Sequence, residues 1–174
     1  MQAEPARGEW LYYPIGLGST GGSMGTMEVG ELLYEYTVKL TGMTEYGVSF
    51  ASLMAGTTAP PPEGARFDVP FEGTSVGPKL KGRVTGVDYL RVRADGRFEL
   101  HIHAEITTDD GQKISLHADG VALPQPGNPV AGLRENVTLF TSSKGYSWVN
   151  ALQVWGTGTV DLAEQVVRIK GYSA

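Results

Sequence analysis

From Glu31 onward, apolar and polar residues alternate with a period of two, the signature of strands with one buried and one wet face. Leu32, Tyr34, Tyr36, Val38 and Leu40 share one face, and Glu31, Glu35, Thr37 and Lys39 the other. Val48–Leu53 reads as a further strand, and Phe67, Val69 and Phe71 alternate with Asp68 and Glu72 in the next. Pro60-Pro61-Pro62 marks 57–64 as a loop, because proline cannot donate to a ladder. Later strands are predicted over Val137–Thr141, Tyr146–Trp155 and Val166–Tyr172, with a loop over 124–132 and room for a short helical turn at 131–134.

The middle of the chain is the most explicit. Val87–Arg93 and Arg97–Thr107 flank Ala94-Asp95-Gly96, and the next pair of strands flanks Asp109-Asp110-Gly111. Asp-Gly between alternating runs is a strong hairpin signal. Three-residue loops at both places set Arg91 opposite Glu99, Tyr89 opposite His101, His103 opposite His117 and His101 opposite Asp119. That register puts Leu90, Val92, Phe98, Leu100, Ile102, Ile106, Ile114 and Leu116 on one side. A slip of one residue would mix the faces. The prediction is a three-stranded antiparallel meander inside an all-β fold. The preferred architecture is a closed antiparallel barrel of about eight to ten strands, which leaves no open edge; a sandwich is the alternative. The barrel domain spans 31–174.

Residues 1–30 form an additional N-terminal arm, with Trp10-Leu11-Tyr12-Tyr13-Pro14 followed by a glycine-rich run from Gly16 to Gly25. A phosphate loop would need a preceding strand, a following helix and usually a lysine. None is visible, so the arm is expected to pack its aromatics on the body or on a neighbour. With Trp155 and Val149 predicted on the outer face, a homo-oligomer is a possible partner state.

Composition narrows the function classes. The 174 residues carry a net charge of −5, which argues against nucleic acid as a partner. There is no cysteine, so thiolate metal sites and cysteine nucleophiles are excluded. No apolar run is long enough for a membrane helix and the N-terminus lacks the apolar core of a signal peptide. The expectation is a cytoplasmic protein without a membrane partner.

Two candidate sites lie on opposite faces of the meander. On one, His101, His103 and His117 come from neighbouring strands with Glu105 and Asp119 alongside, the ligand set a catalytic zinc can use. That face also carries Arg91, Arg93, Arg97, Glu99 and Lys113, and reads more simply as a solvated outer surface. On the other face, parity turns Asp88 inward with Leu100 and Ile102. A carboxyl facing an apolar lumen is expensive when charged, and its pKa rises into the range useful for general acid/base work. The same parity turns Tyr34 and Tyr36 inward, together with Tyr146, Trp148, Asn150, Leu152 and Val154. An apolar cavity with few polar groups is what a small-molecule site looks like. The simpler alternative makes Asp88 a turn cap and the aromatics plain core.

Phe71-Glu72-Gly73, Leu80-Lys81-Gly82-Arg83-Val84, Gly86-Val87-Asp88-Tyr89, Thr107-Thr108-Asp109-Asp110-Gly111 and Tyr146-Ser147-Trp148-Val149-Asn150 occur in that order. Together they resemble family three-two-three-seven of the domains of unknown function, over residues 31–172. That family is similar to the small barrels of the allene oxide cyclase and dirigent type. The resemblance implies a fold far more than an activity. Asp88, Tyr146, Trp148 and Asn150 fall inside its motifs, whereas the three histidines do not.

The expected function is therefore a metal-free isomerase, cyclase or (de)hydratase acting inside the barrel on a small hydrophobic or aromatic carbonyl compound, without a cofactor. Asp88 is the expected general acid/base. Tyr36 and Tyr146 would donate to a carbonyl oxygen, Asn150 would orient it, and Tyr34, Trp148, Leu100 and Ile102 would bind the substrate. A non-catalytic small-ligand-binding barrel is the first alternative. A zinc hydrolase or lyase built on His101, His103 and His117 is the second.

Overall fold

The computed structural model describes residues 30–125 and 127–174. Apart from Gly30, the N-terminal arm with its Trp10–Tyr13 patch lies outside them. In chain order the elements are β1 (Leu32–Leu40), β2 (Thr44–Glu45), α1 (Phe50–Met54), β3 (Ala65–Val76), β4 (Lys81–Val92), β5 (Phe98–Thr108), β6 (Lys113–Leu123) and β7 (Val130–Phe140). A 3-10 turn follows at Ser147–Ala151, then β8 (Gln153–Asp161) and β9 (Val166–Ser173). The strands run in the order β1-β9-β8-β7-β6-β5-β4-β3, all neighbours antiparallel, and pairing of β1 with β3 closes the ring. Strand β2 hangs on β3 outside the ring. The expected closed barrel is the observed one.

Both predicted hairpins form in the predicted register. Arg91 faces Glu99, His103 faces His117 and His101 faces Asp119. Arg93 N–H donates to Arg97 and Thr108 N–H to Gln112, so each loop has three residues. Gly96 and Gly111 end these loops at φ of 81° and 82°, a left-handed conformation that glycine adopts without strain.

The structure corrects the reading in four places. Val48–Leu53 is not a strand: most of it belongs to α1, whose start is capped by the Ser49 hydroxyl and by the Glu45 carboxylate accepting the Phe50 N–H at 2.8 Å. No helical turn forms at 131–134; β7 begins at Val130 and alternates without a break, with Ala131, Leu133, Glu135, Val137 and Leu139 inward. Tyr146–Trp155 is not one strand, because the 3-10 turn occupies its first half; Val149, expected outside, is fully buried. A break in register between Leu32 and Tyr34 buries Leu33.

One end of the barrel is filled by Leu80, Ile106, Ile114, Leu116 and Val149, all 2 % exposed or less. At the other end the chain from 41 to 64 lies over the opening. Phe50 of α1 packs there edge-on against Phe67, with ring centres 5.2 Å apart, and tilts toward Phe98. Among the described residues, no helix is long and apolar enough to cross a membrane.

Candidate active site

Between the apolar plug and the Phe50 end lies a cavity of about 170 Å³. Its walls are aliphatic and aromatic: Val38, Leu40, Phe50, Val69, Phe71, Leu90, Phe98, Leu100, Ile102 and Leu133 among others. Tyr36, Asp88, Glu135 and Gln165 supply the polar atoms. A dry cavity of about 150 Å³ takes a benzene molecule, so this lumen holds roughly one ring and leaves the rest of a larger ligand at the mouth.

Asp88 points inward from β4, as parity predicts, opposite Ile102. Its Oδ1 accepts the backbone N–H of His101 at 3.0 Å, across a stretch where the β4–β5 ladder is interrupted. Burial pushes this carboxyl up to about 6, against the pull of the His101 N–H, which favours the anion. Glu135 comes from β7 and is 3 % exposed, and neither carboxyl oxygen has a hydrogen-bond partner among the described residues. Burial first, and the Asp88 charge second, push it up to about 8. A carboxyl in that state is mostly protonated at neutral pH and can donate a hydrogen bond.

Tyr34 and Tyr36 lie on β1 with their rings stacked at 5.7 Å. Tyr36 lines the cavity; Tyr34 sits behind it, fully buried, its hydroxyl without a partner among the described residues. Burial raises both phenols well above their usual pKa, and the Glu135 charge raises them further, so both stay neutral donors. Leu100 and Ile102 line the wall as expected.

The other expected residues are elsewhere, because the 3-10 turn carries them to the plugged end. The Tyr146 hydroxyl donates to Asp110 Oδ1 at 3.0 Å in an exposed position. Trp148 lies at the surface, 38 % exposed. Asn150 brackets the Thr141 backbone, accepting its N–H and donating to its carbonyl, both at 2.8 Å. None of the three lines the cavity. The histidines stand on the outer face, with His101 bonded to Asp119 at 2.8 Å and the rings of His103 and His117 edge-on at 4.8 Å. Among the described residues, no three His, Cys, Asp or Glu side chains are grouped to hold a metal ion.

Glu135 and Gln165 are the polar cavity residues that sequence reasoning missed. For Glu135 the signal was present: counting back from Val137 by twos gives Glu135, Leu133 and Ala131 on the inner face. A second signal is Gly120 and Gly156, its direct partners on β6 and β8.

A family model described as "Protein of unknown function (DUF3237)" matches residues 39–174. A curated protein of Penicillium herquei, "Hydroalkoxylation enzyme phnH", is 35 % identical over 86 residues, 49 % of this chain. That match spans 51 %, about half, of the relative's own length. Among solved structures, a β-barrel like protein of Acinetobacter baumannii is 25 % identical with a TM-score of 0.67, over 82 % of this chain and 93 % of that one. A structure described as an enzyme from Penicillium herquei is 22 % identical with a TM-score of 0.53, over 90 % and 99 %, and shows likeness of fold.

Proposed function

The chain belongs to the DUF3237 family, and from that premise we propose that it is an enzyme moving protons on a small hydrophobic carbonyl compound held inside its barrel. The observation that carries the reading is Asp88: a carboxyl facing an apolar cavity, with its pKa near 6. Such a group gives and takes a proton near neutral pH. The similarity to a hydroalkoxylation enzyme supports a particular reaction, addition of a hydroxyl O–H across a C=C bond of the same molecule. The protonated Asp88 delivers its proton to one alkene carbon. The substrate hydroxyl oxygen bonds to the other carbon, and its proton returns to the Asp88 carboxylate. Atoms and electrons balance within the substrate, so the product is an isomer and no oxidant or reductant enters. Tyr36 donates to the carbonyl oxygen, and the aliphatic walls keep water from capturing the cation in place of the internal hydroxyl.

The test is conversion of ortho-prenylated phenols that carry an aryl ketone to cyclic ethers of unchanged mass, followed by chromatography and mass spectrometry. Asp88→Asn is expected to lower turnover by about 10² to 10⁴ while the ligand still binds. Turnover unchanged in that variant overturns the assignment.

A second reading rests on the Asp88–His101 bond, which gives the carboxylate a structural task in bridging β4 and β5. The barrel then binds a ligand without converting it, and Asp88→Asn loses stability and no chemistry.

A further inference from the structure

Glu135 occupies a place made for it. A Cβ at Gly156 would lie 2.9 Å from Glu135 Oε2 and 3.0 Å from its Cβ, and one at Gly120 would lie 3.1 Å from its Cγ. Glycine on both neighbouring strands thus makes the room the side chain fills. One strand further, Gly156 pairs with Gly171, over which the Tyr34 ring lies: a Cβ at Gly171 would stand 2.2 Å from its Cζ. Three buried polar atoms without partners among the described residues, both Glu135 oxygens and the Tyr34 hydroxyl, therefore belong to side chains lying over one glycine pair. Buried polar atoms are ordinarily hydrogen-bonded, and groups left unpaired beside a cavity are open to a partner that enters it, water or a ligand.

The groups facing Glu135 decide what that partner is. From β4 comes Asp88, and from β1 come Tyr34 and Tyr36. Strands β6, β8 and β9 present Gly120, Gly156 and Gly171, and among the described residues no lysine, arginine or histidine lines the cavity. Among the described residues no cation in the lumen compensates an anion at Glu135, so it acts as the neutral acid, a donor, as does the Tyr36 hydroxyl. Two donors suit one oxygen with two lone pairs.

We propose that Glu135, in its acid form, and Tyr36 make an oxygen-binding subsite in the lumen that takes the carbonyl oxygen of an aromatic ketone. The proposal rests on the reading of the lumen as a small-molecule site and names the group by which the substrate is held. Asp88, on the facing strand, is left free for the proton transfer.

Three probes of nearly equal shape test it: acetophenone, ethylbenzene and 1-phenylethylamine, with binding followed by ligand-observed NMR. At pH 6.5 acetophenone is expected to bind about tenfold tighter than ethylbenzene, the scale of one or two net hydrogen bonds. The preference fades by pH 9.5 as Glu135 ionises. Glu135→Gln, still a neutral donor, keeps the preference and loses its pH dependence; Glu135→Leu loses the preference. Equal binding of the two neutral probes to the unaltered protein overturns the subsite, as does a preference unchanged at pH 9.5. Tighter binding of the amine overturns it in favour of a cation site. No probe is turned over, and Asp88→Asn leaves the preference in place, so the subsite and the reaction fail separately.

Discussion

Glu135 and Asp88 hold protons at pH values where ordinary carboxyls have lost them, and this links stability to pH. An acid whose pKa is higher in the folded chain binds its proton more tightly there. Its stabilising contribution is complete below the unfolded value and disappears as pH rises through the folded one. For Glu135 that window runs from 4.5 to about 8. For Asp88 it runs from 3.8 to about 6. The thermal midpoint is therefore expected to fall between pH 5 and pH 8.5. Glu135→Gln should flatten the part above pH 6.5, which amounts to on the order of a few kcal/mol. Scanning calorimetry across that range checks it. Asp88 was legible because the Asp-Gly hairpin fixes the strand parity and only the five residues from Asp88 to Val92 separate it from the turn. Tyr146, Trp148 and Asn150 were misplaced for the opposite reason: they alternate like a strand, yet of residues 146–150 only Val149 is fully buried. Tyr146→Phe removes an exposed bond to Asp110 and should cost less than about 1 kcal/mol, with ligand affinity unchanged by titration.

At the level of strands, the row Gly120–Glu135–Gly156–Gly171–Tyr34 runs directly across five neighbours in the ring. Glycine in a strand interior weakens it, and here the compensation is space for two large polar side chains. Gly171→Ala would drive a methyl into the Tyr34 ring and is expected to destabilise the fold by about 1–3 kcal/mol, measured by urea denaturation. Gly156→Ala would press on the Glu135 carboxyl, so it should alter the pH dependence of ligand binding more than stability. The hairpins could be read from the chain because their turn chemistry is local. The row is only partly so: Gly120, Glu135, Gly156 and Gly171 lie on consecutive strands, but their register is set across longer connections without Asp-Gly turns, and Tyr34 joins them only where β1 meets β9 to close the ring. Helix α1 escaped for a related reason: Val48–Leu53 fits a short strand by hydrophobicity, and the Ser49 and Glu45 caps that decide otherwise carry no periodic signal.

For the molecule as a whole, closure explains why a cavity exists at all. Eight strands enclose more space than the plug residues fill, and the surplus falls beside Tyr36, Asp88 and Glu135. Phe50 stands over the mouth on a segment that is no part of the ring, so Phe50→Ala should speed ligand exchange, seen as NMR line broadening, with little change in ring stability. The seam lies at β1, which is held on one edge by β3 and on the other by β9. During translation the first of these neighbours is made soon after β1, the second last of all the strands. One flank of β1, and the tyrosines it carries, therefore has no mate until β9 has been made, an open edge of the kind that invites mispairing with another copy.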